Sequence, residues 1–195
     1  MFVKICGMNS GEAVEAAVAA GADAIGFVFA PSPREVTPEQ AKALCAAVPA
    51  SIVRVAVMRH PQPDRWQRVL EIFEPNWLQT DAEDFAAIKL PKSCTALPVY
   101  RNGTTPADSD LPDRLLFEGN ASGSGRLADW DEAYGLARVT EVVLAGGLTA
   151  DNVAAALTVV RPWGVDVSSG VERERGEKDP AKIREFVARV RALVE

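Results

Sequence analysis

The chain has 195 residues, 48% of them hydrophobic, with a formal net charge of −6, three cysteines and one histidine. That length and composition suit a packed globular fold with one core, read as a single domain over residues 1–195, and exclude a disordered chain. An acidic balance without a basic run excludes general binding to nucleic acid or to an anionic membrane, but leaves room for a small basic pocket that holds a phosphate.

Short apolar runs alternate with helical patterns along the chain. "FVKIC" reads as a strand, and "SGEAVEAAVAAGAD" as a helix with Ala13, Val14, Ala17 and Val18 on one face and Gly21 at its stop. "AIGFVFA" is a second strand. "TPEQAKALCAAV" opens a helix with Thr37 as N-cap, Pro38 at the first position and Gln40 three residues after the cap; Cys45 on this helix reads as packing. "SIVRVAVM" is a third strand, "PDRWQRVLEIF" a third helix and "NWLQ" a fourth strand. "DAEDFAAIKL" reads as a short helix, "CTALPVY" as a fifth strand and "RNGTTPADSD" as a loop with little helical content. "RLLFEG" is the sixth strand, "LADWDEAYGLA" a helix and "EVVLAGG" the seventh strand; Thr149 is read as the cap of "TADNVAAALTVV". "GVDVSSG" is the eighth strand, and Asp179-Pro180 begins a final helix running to "VRALVE".

Strands alternating with helices imply a parallel sheet with right-handed crossovers. Eight such units predict an α/β fold, a closed (β/α)8 TIM barrel, with a shortened or irregular helix in the region of strands four to six. An open doubly wound sheet is the alternative, but no GxGxxG follows the first strand. No apolar stretch is long enough to span a membrane, and the N-terminus lacks a signal peptide's charged start and long apolar segment, so a cytoplasmic protein is expected. Cys6, Cys45 and Cys94 are far apart and form no CxxC pair, which suggests neither a disulfide framework nor a zinc site. His60 alone leaves little room for a histidine-based metal centre or triad; no metal is expected.

In a barrel the C-terminal strand ends carry the chemistry. Those ends are Cys6 and Gly7, the segment "APSPR", Glu118, Gly146 with Gly147, and Ser168, Ser169 and Gly170. The last two groups make a candidate phosphate cradle, because glycines let backbone N–H groups approach an anion and serines add hydroxyl donors. Such a cradle commonly lies between the loops after strands seven and eight. A buried cysteine is more often packing than chemistry, yet Cys6 would face the same mouth as that phosphate, with Glu118 across from it. One thiolate base and one carboxylic acid around a sugar phosphate suit proton transfer in an isomerisation. A free thiol titrates near pKa ~8.5, so a basic Cys6 needs nearby positive charge; Lys4 lies on the same strand face.

Together "VKICG", "FVFAPSPREVTPEQA", "SGSG...ADW", "VVLAGGLTADNV" and "VDVSSGVE...G.KD" resemble the phosphoribosylanthranilate isomerase family of tryptophan biosynthesis. The resemblance covers most of the chain and is weakest over residues 76–112. It implies a (β/α)8 barrel without cofactor that converts N-(5-phosphoribosyl)anthranilate to 1-(2-carboxyphenylamino)-1-deoxyribulose 5-phosphate by an Amadori rearrangement. It implies Cys6 as the base, Arg34 near the anthranilate carboxylate, and Asp166 as a substrate-side residue that orients the site. Gly146, Gly147, Ser168, Ser169 and Gly170 become the phosphate ligands. The ligand is a small phosphosugar, with neither nucleic acid nor membrane as partner, and the chain is expected as a monomer or homodimer.

Three departures stand out. The family ends strand six in "LLD", whose aspartate is the general acid; here the run is "LFEG", and Glu118 takes that position. The family's strand-four "QLHG" reads "LQTD", which removes a histidine. "VYRNG", with Arg101, matches nothing in the family pattern. These departures motivate the alternative of a phosphosugar-binding barrel of the same family that has lost or altered this catalysis. An aldolase on the same barrel would need a Schiff-base lysine at a strand end, and only Lys4 is near one.

Overall fold

The structure, a computed structural model, describes residues 1–107, 110–120 and 127–193. Eight strands run in the order of the sequence: β1 (Phe2–Cys6), β2 (Ala24–Val28), β3 (Val53–Val57), β4 (Trp77–Asp81), β5 (Thr95–Arg101), β6 (Arg114–Glu118), β7 (Glu141–Leu144) and β8 (Gly164–Val167). Each pairs in parallel with the next, and β8 pairs back onto β1 with Lys4 opposite Asp166, so the sheet closes into the predicted barrel. Closure leaves no open sheet edge.

The helices are α1 (Gly11–Ala19), α2 (Pro38–Leu44), α3 (Pro63–Phe73), α4 (Trp130–Ala137), α5 (Val153–Val160) and α6 (Pro180–Arg191). Each forms for a local reason. On α3, Trp66, Val69 and Phe73 fall on one face and are buried, while the charged residues between them point out. On α2 the predicted capping box is present: Gln40 N–H donates to Thr37 Oγ1 at 3.2 Å and Thr37 N–H donates to Gln40 Oε1 at 2.8 Å. The helix after β4 is a 3₁₀ turn, Ala82–Ala86, and the β5–β6 link has no α-helix among its described residues. After β8 the chain makes a second 3₁₀ turn, Ser169–Val171, and an antiparallel hairpin of β9 (Glu172–Glu174) and β10 (Glu177–Lys178).

Three boundaries differ from the sequence reading. β4 continues to Asp81, and β5 to Arg101, because each has a paired strand beside it for that length. Thr149 is not the cap of α5, which starts four residues later at Val153. Residues 149–152 form a turn instead, with Asn152 N–H and Val153 N–H donating to the Thr149 carbonyl at 3.3 and 3.0 Å. The "SGSG" run and the last two residues of "VRALVE" lie outside the described residues.

The larger core lies between barrel and helices, and includes Phe27 packed edge-on against Phe73 at 5.2 Å. Fully burying one such phenyl ring contributes roughly 1.5–3 kcal/mol. A smaller core fills the barrel itself: Leu97, Val99, Leu116, Val143 and Ala145, with Trp77 and Trp163 packed beneath. At the barrel floor Phe2 stacks on Trp77 at 5.2 Å and on Trp163 at 4.6 Å, and the Arg114 guanidinium lies 3.9 Å from the Trp163 ring centroid. Phe2 therefore points inward, and strand alternation turns Lys4 and Cys6 inward above it. The floor is sealed by aromatic rings, and the polar inward residues collect toward the C-terminal mouth.

No described helix is long and apolar enough to cross a membrane.

Candidate active site

Cys6 ends β1 at the mouth and is 7% exposed. Gly26, its neighbour on β2, has no side chain where one would press on the cluster: a Cβ there would lie 3.2 Å from both Cys6 Sγ and Lys4 Cε. The glycine thus opens the space that Lys4 and Cys6 share. Lys4 is fully buried and its Nζ donates to Asp166 Oδ1 at 2.7 Å. Burial pulls the Lys4 ammonium down, but the Asp166 carboxylate leads the groups that outweigh it and hold the lysine above its ordinary value. Burial pushes the Cys6 thiol up, and the Lys4 charge offsets only part of that. The free protein therefore holds Cys6 mainly as a thiol at neutral pH.

Gly7 follows with φ +80°, a conformation that L side chains rarely adopt. Space demands glycine there as well, since a Cβ would come within 2.6 Å of Arg34 Cδ and 3.2 Å of Ser168 Oγ. Arg34 therefore lies across the turn behind Cys6. Its guanidinium is bidentate on Glu172, with Nε–Oε1 at 2.6 Å and the second nitrogen at 2.9 Å from Oε2. Lys178 donates to the same carboxylate at 2.7 Å, and to the carbonyl and hydroxyl of Ser168 at 2.8 and 3.2 Å. Burial alone would raise the Glu172 carboxyl, but hydrogen bonds from Arg34 and Lys178 hold it down at about 2. Burial lowers the Lys178 ammonium despite the Glu172 carboxylate.

The glycine loops after β7 and β8 meet. Gly146 and Gly147 take φ of 86° and 66° after β7. Asn152 ties that loop down, donating to the Gly147 carbonyl at 2.9 Å and accepting from Thr149 N–H at 2.8 Å. A Cβ on Gly170 would sit 1.9 Å from the Leu148 carbonyl oxygen, so the loops after β7 and β8 are pressed together at a point only glycine allows. Ser168 and Ser169 border that contact at the start of the 3₁₀ turn.

Across the mouth stands a second cluster. Glu118 ends β6, and its Oε1 lies 3.2 Å from the Arg101 guanidinium at the end of β5. Arg101 also pairs with Asp81 Oδ1, at the end of β4, at 2.6 Å. His60, from the turn after β3, lies 3.3 Å from Asp81 Oδ2 and 2.9 Å from Asp84 Oδ1; hydrogen bonding to Asp84 raises its imidazole.

The mouth thus combines a buried thiol beside an ammonium, two glycine loops suited to an anion, and a carboxyl on the far wall. The family model for N-(5'-phosphoribosyl)anthranilate isomerase matches residues 3–189. The chain belongs to the phosphoribosylanthranilate isomerase family. The N-(5'-phosphoribosyl)anthranilate isomerase of a Streptococcus pneumoniae strain is 41% identical over 192 residues, spanning 97% of this chain and 95% of its own. The phosphoribosyl anthranilate isomerase of Thermotoga maritima superposes with a TM-score of 0.88 at 30% identity, covering 99% of this chain and 100% of that one. A phosphoribosyl anthranilate isomerase in complex with reduced 1-(o-carboxyphenylamino)-1-deoxyribulose 5-phosphate superposes with a TM-score of 0.83, again at 30% identity over 99% and 100% of the two chains.

Within this family fold, every site residue expected from the sequence lies at the C-terminal end of the barrel or directly beneath it. Asp166 is spent on Lys4, one layer below the mouth, rather than presented at it. Arg34 presents a guanidinium already paired along one edge with Glu172. Sequence reasoning missed Glu172, Lys178, Asp81 and His60 as members of the site. Glu172 and Lys178 stood inside the quoted "VDVSSGVE...G.KD" motif, which was the available signal.

Proposed function

We propose that Cys6 and Glu118 divide the proton chemistry of the phosphoribosylanthranilate isomerase reaction, with the 5-phosphate held by Gly146, Gly147, Ser168, Ser169 and Gly170. The observation that carries this reading is their placement: a thiol on β1 and a carboxyl on β6 end at one mouth, with the glycine loops of β7 and β8 between them.

The carboxyl of Glu118 gives its proton to the ribose ring oxygen. The anilino nitrogen lone pair forms the C1=N bond as the C1–O bond breaks, leaving a protonated Schiff base. The Cys6 thiolate then takes the C2 proton, and the C2–H electron pair forms the C1=C2 bond of an enolamine with a neutral nitrogen. Proton return to C1 and loss from the C2 hydroxyl give the ketone. One turnover moves a proton from the carboxyl to the thiol, and exchange with solvent resets the pair. The reacting form holds its proton on Glu118 and leaves Cys6 ionised. Lys4, anchored by Asp166, faces the Cys6 thiolate with positive charge. The free edge of Arg34 suits the anthranilate carboxylate, because a guanidinium pairs with planar oxyanions.

All these groups come from one chain, so the site is complete in a monomer and compatible with a homodimer. We place the protein in the cytoplasm as one cofactor-free domain; its three free cysteines suit a reducing compartment. The test is rescue of a tryptophan auxotroph lacking this isomerase. The wild-type chain should restore growth and Glu118→Gln should not. Failure of the wild type, with phosphosugar binding intact, would return the chain to a binding role.

A further inference from the structure

The three departures from the family pattern on β4, β5 and β6 meet in one cluster, in which the family resemblance gives a task to Glu118 but none to Arg101 or Asp81. We propose that Arg101 is a positioning residue for Glu118, clamped from its other side by Asp81. The inference rests on the reading of Glu118 as the acid.

The backbone of Arg101 is fixed first. Its N–H donates to Thr104 Oγ1 at 2.8 Å, and its carbonyl accepts from Thr104 N–H at 2.9 Å. The following loop is tied to α4, where Glu132 accepts from Gly103 N–H at 3.1 and 3.0 Å. Arg101 stands opposite Glu118 in the β5–β6 register, and its fork spans from Asp81 on one side to Glu118 on the other. A glutamate has one more rotatable bond than the family's aspartate, so its carboxyl samples more positions unless something holds it. A 1 Å misplacement of a reacting group costs on the order of 10²-fold in rate. The guanidinium supplies the hold.

Asp81 explains how an acid can tolerate an arginine. The Asp81 contact, at 2.6 Å, is shorter than the Glu118 contact at 3.2 Å. Asp81 therefore offsets much of the guanidinium charge that would otherwise keep Glu118 ionised. Among the described residues, the charged groups of this cluster include Arg101, Glu118, Asp81, His60 and Asp84, with Glu83 and Arg59 beside His60; the end of β7 offers only Ala145, Gly146 and Gly147.

The test is a double-mutant cycle on the full chain, read with the Glu118 carboxyl titration followed by 13C NMR. Arg101→Gln should lower kcat about 10- to 100-fold with KM within about threefold, and Arg101→Lys should recover part of it. In a Glu118→Gln background, Arg101→Gln should cost little more, because its effect passes through that carboxyl. The Glu118 midpoint should rise in Arg101→Gln, which leaves the Asp81 charge unopposed. It should fall in Asp81→Asn, which leaves the arginine unopposed. Wild-type kcat in Arg101→Gln, equal losses in both backgrounds, or an unmoved midpoint would overturn the inference. If Arg101→Gln does not fold, Arg101→Lys and Asp81→Asn carry the same cycle. Wild-type turnover in Glu118→Gln alone would instead overturn the acid assignment on which the inference rests.

Discussion

Lys4 donates to Asp166 at 2.7 Å across the β1–β8 pair, and their side chains are 0% and 8% exposed. Removing one member strands the other's charge inside the barrel. Asp166→Ala should therefore destabilise the protein by about 3–5 kcal/mol, as expected for a broken buried pair. Urea unfolding measures it, and a loss below ~1 kcal/mol would mean that water or another group satisfies Lys4.

The contact between Gly170 and the Leu148 carbonyl makes a second expectation. Gly170→Ala must push the loops after β7 and β8 apart, because its Cβ would start 1.9 Å from that oxygen. If those loops hold the phosphate, KM should rise at least about tenfold, near 1.4 kcal/mol of lost binding, while kcat at saturation falls less. Equal loss in kcat with KM unchanged would count against the cradle.

Glu172 sets an acid limit on stability. Its carboxyl titrates at about 2 in the folded protein against an ordinary 4.5. The unfolded chain therefore takes up this proton first as pH falls. The stabilisation is complete above the unfolded value and drains away between roughly pH 4.5 and 2, for a total on the order of 3 kcal/mol. Glu172→Gln should flatten the decline of urea midpoint with pH in that window. An identical slope in wild type and variant would show that Arg34 and Lys178 do not hold this carboxylate ionised.

Burial pushes the Cys6 thiol up in the free protein, so its thiolate is scarce at neutral pH. Alkylation of Cys6 by iodoacetamide, read by peptide mapping, should be slow at pH 7. It should rise about tenfold per pH unit until the raised pKa is passed. Fast, pH-independent alkylation near neutrality would mean that Lys4 overcomes desolvation.

The barrel was legible because its signals are local. "FVKIC" is a short apolar run, α3 carries its apolar stripe, and Thr37 with Gln40 is a cap visible in four residues. Thr149 misled because a threonine before a helical pattern looks like a cap, whereas the chain spends one more turn before α5. The ends of β4 and β5 were not legible. Asp81 and Arg101 are strand residues because neighbouring strands pair with them, a condition absent from their own stretch of sequence. The link from Arg101 to Glu118 is likewise a product of register. Glu172 and Lys178 were in view as letters, but the convergence of Lys178 and Arg34 on Glu172 depends on the hairpin that folds back against β2's loop, where Gly176 packs on Pro33.

The central claim is that Cys6 removes the C2 proton. The measurement is kcat of purified Cys6→Ser on N-(5-phosphoribosyl)anthranilate, with product-analogue affinity as a check on the fold. Serine keeps the size and hydrogen bonding of the side chain but is a far poorer base near neutral pH. A general base contributes about 10²–10⁴-fold, so kcat should fall by that amount while analogue binding survives. Turnover within a fewfold of wild type would contradict the account and leave Cys6 as packing at the end of β1.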